Sequence, residues 1–271
     1  MKYKMIFSDF DGTIASDDHS ISDENKRAIK EYQKKGGTFV LCSGRAPIPA
    51  WSIVKELGIE NNDIPIAGLN GALVLNKDKE VIYKAPIKNS TAYIIVKEAE
   101  RRGIYCHMYD DYTAIIKEEH PINIDYRKVT DIDFTIAGKL SDYLMAHPDF
   151  DPIKILYVID PCISKELDEF FDRLDLPGVK RVMGSNTFYE FISVDAGKEK
   201  AMKFIANEYG VDISEVIAIG DNTNDKAMIE QAGLGVAIGN GRAETIAVAD
   251  FVATSNNESA IAQVVDKFCK E

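Results

Sequence analysis

The chain has 271 residues, 45% of them hydrophobic and 28% charged, the make-up of a globular protein with one large domain or two modest ones. Its formal net charge of −12 argues against broad binding to nucleic acid or anionic membrane, which needs a basic face, yet leaves room for a small anionic ligand. No run reaches the ~18 apolar residues of a membrane span, charged residues come too early for a signal peptide, and Cys42, Cys106, Cys162 and Cys269 have no zinc spacing, so a cytoplasmic protein with reduced thiols is expected.

In chain order, Lys4–Ser8 reads as a strand. Ser22 can cap a helix running to Lys35, with Ala28, Ile29 and Tyr32 on one face and Gly36-Gly37 ending it. "TFVLC" at Thr38–Cys42 is a second strand, Pro49–Leu57 a helix stopped by Gly58, and Ile64–Ala67 and Ala72–Leu75 short strands around "GLNGA". The last third repeats the rhythm: a helix at Lys198–Tyr209, a strand at Val216–Ile219, a helix at Asp225–Ala232, a strand at Gly235–Ile238, and a helix begun by "GNGRAETIAVA". Strands alternating with helices imply parallel pairing and a Rossmann-like α/β sandwich.

The middle differs. Glu80–Lys84, Ile104–Tyr109, Ala114–Lys117, Ile153–Ile159, Lys180–Met183 and Phe188–Ser193 look like strands, but they are richer in Tyr, His and Lys. Helices fit at Thr91–Arg102, Lys139–Ala146 and Ser164–Leu174. The pattern predicts an inserted α+β domain over 85–190 with a one-sided, partly solvated sheet, and a discontinuous core from 1–84 and 191–271.

Parallel α/β sheets bind ligands beyond the carboxyl ends of their strands. Three core strands run into "SDFDGT", "SGR" and "GDNTND", and "VDAGK" precedes the Lys198 helix. Clustered carboxylates repel one another unless a divalent cation neutralises them, and hard oxygens favour Mg²⁺. A phosphate needs donors, which Ser43, the Gly44 amide and Lys198 can supply. A carboxylate can attack phosphorus, and a second can move the protons. Each loop alone has an ordinary reading as a turn, a cap or a solvated lysine. A calcium loop at Asp9 fails, because Ile14 stands at its glycine position and Ser20 at its bidentate glutamate position. It is the conjunction of the four loops, in this order, that points to phosphoryl chemistry.

"DFDGT", "CSGR", Lys198 and "GDNTNDKAM", separated by an insertion of about a hundred residues, resemble the haloacid dehalogenase-like phosphohydrolases, in particular the Cof-type members with a type IIB cap. "LNGA" at Leu69–Ala72 is similar too. The resemblance implies a Mg²⁺-dependent hydrolase of sugar phosphates or similar small phosphomonoesters. Asp9 would be nucleophile and metal ligand. Asp11 would be acid/base, its backbone carbonyl also on the metal, and Asp221 the last protein ligand. Phosphate binding would fall to Phe10, Ser43, Gly44, Lys198 and Asn224. Asp225, Thr13 and Arg45 would support these groups, Arg45 by orienting the second loop, and Asn70 would be a substrate contact. Three departures stand out: Ser43 replaces the commoner Thr, Glu199 follows the lysine where Gly is frequent, and Lys200 lies close enough to compete with Lys198.

In such proteins the insertion closes over the core and selects the substrate. Hinges are expected in "KAPIKN" and "FISVDAG", and His107, Tyr109, Asp110, Tyr112 and Tyr189 are read as exposed positions able to meet substrate. The partner is a small phosphorylated metabolite, with neither nucleic acid nor membrane, and a monomer is compatible with the sequence. Two alternatives share the aspartyl-phosphate chemistry. One is a phosphotransferase or mutase, which product analysis would separate. The other is a receiver-type switch, whose acceptor Asp follows a later strand in a chain about half as long.

Overall fold

The computed structural model describes residues 1–59, 64–174, 176–183 and 186–270. The first elements are β1 (Met5–Ser8), α1 (Asp23–Lys34), β2 (Thr38–Cys42), α2 (Pro47–Leu57), β3 (Ile66–Gly68), β4 (Leu73–Leu75) and β5 (Val81–Lys84). Then come α3 (Asn89–Arg102), β6 (Tyr105–Tyr109), β7 (Ala114–Ile116), α4 (Pro121–Thr130), β8 (Phe134–Ile136) and α5 (Leu140–Ala146). They are followed by β9 (Lys154–Val158), α6 (Ser164–Arg173), β10 (Val179–Met183), β11 (Phe188–Ser193) and α7 (Lys198–Glu208). The chain finishes with β12 (Val216–Gly220), α8 (Lys226–Gln231), β13 (Leu234–Ala237), α9 (Ala243–Ile246), β14 (Phe251–Val252) and α10 (Ala260–Phe268). Among the described residues, no helix is long and apolar enough to cross a membrane.

Two compact units emerge, Met1–Tyr83 with Gly197–Glu271, and Lys84–Ala196. The second boundary lies past the end of β11 rather than at Glu190. A cut at Glu190 would break a strand that pairs along its length with β9 and β10.

The first unit holds a sheet ordered β14-β13-β12-β1-β2-β3-β4-β5, with parallel pairing from β14 to β3 and β4 antiparallel to β3. Its central strands are apolar throughout because both faces are covered. Ile6 of β1 packs with Tyr32, Trp51 and Val264 on one face. Met5 and Phe7 pack with Met202 and Met228 on the other. Helix α1 starts where the sequence indicates: the Ser22 hydroxyl accepts from the Asn25 amide, Asp23 and Glu24 fill the first turn, and Lys34 the last. The "GNGRAETIAVA" helix shrinks to α9, a single turn, while β14 and α10 lie beyond the predicted elements.

The second unit holds a sheet ordered β10-β11-β9-β6-β7-β8, antiparallel except for β7 with β8. The expectation of a one-sided, partly solvated sheet fits the edge strand β8, with two of three residues exposed, but not the central strands. Four of the five residues of β9 are buried, as are five of the six of β11. On one face Met108, Ile155, Tyr157, Tyr189 and Phe191 pack with residues of α3, α5 and α6. On the other, Tyr126 of α4 lies against His107 and bonds the Tyr109 hydroxyl at 2.6 Å, and Lys154 pairs with Glu190 at 2.7 Å. His107, Tyr109 and Tyr189 are therefore buried rather than exposed. Their polar tips suggest solvent, but each body is apolar, and His107 Nε2 meets the Tyr109 hydroxyl inside. Tyr189 gives its hydroxyl hydrogen to Asp168. Asp110 accepts from the amides of Tyr112 and Thr113, making the β6–β7 turn, and Tyr112 alone of the five is strongly exposed, at 49%.

Candidate active site

Strand β1 is the switch point of the first sheet, with β2 and β3 to one side and β12 and β13 to the other. Ser8 is in register with Leu41 of β2 and Ile219 of β12. The loops after these three strands therefore emerge at one edge, carrying Asp9, Ser43 and Asp221, as the switch-point rule requires.

Lys198, the first residue of α7, has a side chain with no exposure. Its ammonium donates to Asp9 Oδ1 at 2.7 Å and to Asp225 Oδ1 at 2.5 Å. Lys200, two residues on, is half-buried, whereas Lys198 is the lysine that reaches both Asp9 and Asp225. Glu199 sits in the first turn of α7 and folds its carboxylate over Gly197. Asp225 Oδ2 accepts from the amides of Asp221 and Asn222, which fixes the "GDNTND" loop. Thr13 donates to Asp221 Oδ1 at 2.9 Å, so it ties the first loop to the third.

Asp9, Asp221 and Asp225 each offer an oxygen within 4.8 Å of the others, facing one ammonium. Burial, with Asp225 and Asp221 adding repulsion against the pull of Lys198, lifts Asp9 to about 8. Burial and Asp225 lift Asp221 to about 6, against the Thr13 hydrogen bond. Burial alone would lower the Lys198 ammonium, but Asp225 and Asp9 outweigh it and hold it above its ordinary value. The cluster has more negative charge than its lysine can balance, the donor chemistry of a site for a hard cation. Asp225 commits Oδ1 to Lys198 and Oδ2 to two backbone amides.

Asp11 is exposed, and Arg45 grips its carboxylate with two bonds of 2.8 and 2.7 Å while lying over the Phe10 ring. The Arg45 side chain thus orients Asp11, while its amide bonds Ser43 in the second loop. Its carbonyl also accepts from Leu69. The Phe10 ring is core, so a phosphate contact there falls to its backbone. Its carbonyl accepts from Thr13, Ile14 and Ala15, coiling the first loop. Ser43 is buried, its hydroxyl accepting from the Arg45 amide at 3.2 Å, with half-buried Gly44 beside it. Asn70 turns its carboxamide toward Asn224, whose Nδ2 donates to Asn70 Oδ1 at 2.9 Å.

One loop escaped the sequence reading. "GNGR" after β13 places Asn240 Nδ2 on the Gly12 carbonyl at 2.9 Å and the Arg242 amide on the Asp221 carbonyl at 2.8 Å. It comes after a core strand as the other loops do, and the same rule applied to β13 would have found it. Gly12 is required here: its φ is +76°, and a Cβ would lie 2.8 Å from Asp221 Oδ2.

A sequence profile described as haloacid dehalogenase-like hydrolase matches residues 6–265. The chain belongs to that family. A Haemophilus influenzae protein named as a phosphatase is 31% identical over 98% of each chain. The 5-amino-6-(5-phospho-D-ribitylamino)uracil phosphatase YbjI of Escherichia coli is 27% identical over 100% of this chain and 97% of its own. A haloacid dehalogenase-like hydrolase from Bacteroides thetaiotaomicron shares the fold, with a TM-score of 0.87 at 24% identity over 98% of this chain and 99% of that one. This Cof-type phosphatase is an enzyme of phosphoric monoesters.

Proposed function

We propose that the protein is a Mg²⁺-dependent phosphomonoesterase that cleaves a sugar phosphate or similar small phosphoester through an aspartyl-phosphate on Asp9. The observation that carries this reading is the placement of Asp9: at the end of β1, bonded to a buried lysine, beside Asp221, and two residues from a second, exposed carboxylate.

Asp9 and Asp221, with the Asp11 carbonyl, would hold Mg²⁺. Bound there, the ion would neutralise negative charge and so favour the ionised Asp9 that attack needs. The Asp9 carboxylate then attacks phosphorus, the bond to the leaving oxygen breaks, and Asp11 gives that oxygen a proton. Asp11 next takes a proton from water, whose oxygen displaces Asp9 and releases inorganic phosphate. Lys198 has three ammonium hydrogens and spends two on Asp9 and Asp225, so a third is left for a phosphoryl oxygen. Ser43, Gly44, the Phe10 backbone and Asn224 complete the donors, while Arg45 holds Asp11 between the two proton transfers.

The name of the E. coli relative specifies a phosphate on a reduced sugar chain, which supports a sugar or polyol phosphate here. Selection among such esters is assigned to the inserted unit, and a cytoplasmic metabolite suits the expected location. The test is a panel of phosphoesters assayed with Mg²⁺ and ranked by kcat/KM, repeated with chelator and with Asp9→Asn. Phosphate release that chelation and the substitution both abolish is expected. Near-normal turnover by Asp9→Asn would sink the mechanism.

A further inference from the structure

Leu69, Asn70 and Gly71 lie in succession in the left-handed region, at φ of +52°, +59° and +77°. Two of them carry side chains, which disfavour this conformation, the branched Leu69 more than Asn70. Strain of this kind persists only where the surroundings over-determine it, and it gathers at functional sites. The surroundings here are the loops of the site. The Leu69 amide donates to the Arg45 carbonyl at 2.8 Å, and the Asn70 amide to the Ser43 carbonyl at 3.1 Å. Gly71 packs so closely on α7 that a Cβ would stand 2.2 Å from the Gly197 carbonyl oxygen and 2.8 Å from the Lys198 amide. Asn70 Oδ1 takes the Asn224 hydrogen bond and lies 3.1 Å from where a Gly44 Cβ would be. Asn70 itself is only 4% exposed, and its carboxamide oxygen is engaged by Asn224.

From this we infer that Asn70 is a positioning residue: its strained turn locks the Ser43 loop to the start of α7, and its carboxamide fixes the orientation of Asn224. A carboxamide has two faces of opposite polarity, and a rotated Asn224 would present acceptor where donor is needed. The Asn70 acceptor engages Nδ2 and fixes that choice, while Asn224 Oδ1 is buried with no donor among the described residues. The inference rests on the phosphomonoesterase reading and adds to it the origin of the Asn224 geometry.

The test is a double-mutant cycle with p-nitrophenyl phosphate and Mg²⁺, using Asn70→Gly, Asn224→Ala and the pair. Glycine keeps the left-handed backbone and removes only the carboxamide. Asn70→Gly should lose roughly tenfold or more in kcat/KM, and that loss should disappear in the Asn224→Ala background. Equal losses in both backgrounds, or wild-type turnover by Asn70→Gly, would overturn the inference. If Asn70→Gly does not fold, Asn70→Asp, which keeps the acceptor oxygen, should retain more turnover than Asn70→Ala, and equal rates would overturn it. A wild-type protein that releases phosphate from no ester would remove the phosphomonoesterase reading and this inference together. Turnover with additive losses would remove only this inference.

Discussion

Replacing Lys198 by Met removes the one cation that Asp9 and Asp225 share. Their side chains are 9% and 0% exposed, so no solvent takes its place. Breaking a buried ion pair from one side costs about 3–5 kcal/mol, a large share of the ~5–15 kcal/mol that holds a domain folded. The lower end applies, because burial and the neighbouring Asp225 and Asp221 already raise the pKa of Asp9, so without the ammonium it can take up a proton rather than stay an orphaned charge, and Asp225 keeps two backbone amides. A loss of about 3 kcal/mol is expected at pH 7 in the presence of chelator. Trp51, the single tryptophan, is 7% exposed in α2 of the first unit, so its fluorescence during urea unfolding reports on this unit. Asp225→Asn added to Lys198→Met should restore part of the loss by removing one orphaned charge. A loss under about 1 kcal/mol, or a double variant weaker than Lys198→Met, would refute the reasoning.

Gly12→Ala forces a side chain into the left-handed region and its Cβ against Asp221 Oδ2. It should weaken Mg²⁺ in titrations of activity by about tenfold or more, and an unchanged Mg²⁺ dependence would contradict the packing argument. His107 tests the second unit. Burial, with Lys154 adding to it, lowers its pKa to about 3. Between about pH 6.5 and 3 the unfolded chain binds a proton that the folded chain does not, so stability falls as pH falls through that window. From pH 7 to 5 the wild type should lose about 2 kcal/mol more than His107→Gln, measured by urea unfolding followed by circular dichroism. Parallel pH profiles would rule the effect out.

The sequence exposed the core because its signals there are physical necessities. A strand covered on both faces must be apolar throughout, as Met5–Phe7 is, and a helix must satisfy its first amides, as Ser22 does for α1. The loops beyond such strands then mark the site. The features that stayed hidden depend on partners distant in sequence. Helix α4 buries only Asn123, so it shows no apolar stripe, and β8 is a three-residue edge strand with two exposed residues. Without α4 in view, the cover over His107 and Tyr109 could not be inferred. The grip of Arg45 on Asp11 spans 34 positions, and the Asn70–Asn224 bond spans 154. Residue type and spacing do not announce either contact. Both follow from strand order.

The central claim is that phosphoryl transfer passes through Asp9. Wild-type protein mixed with a turnover substrate and Mg²⁺, quenched in acid within the first turnover and digested, should yield a peptide containing Asp9 that carries one phosphoryl group. The acyl phosphate should vanish on treatment with hydroxylamine and be absent from Asp9→Asn. Phosphate release by an active wild type with no phosphorylated Asp9 peptide, or with the group on another residue, would contradict the account.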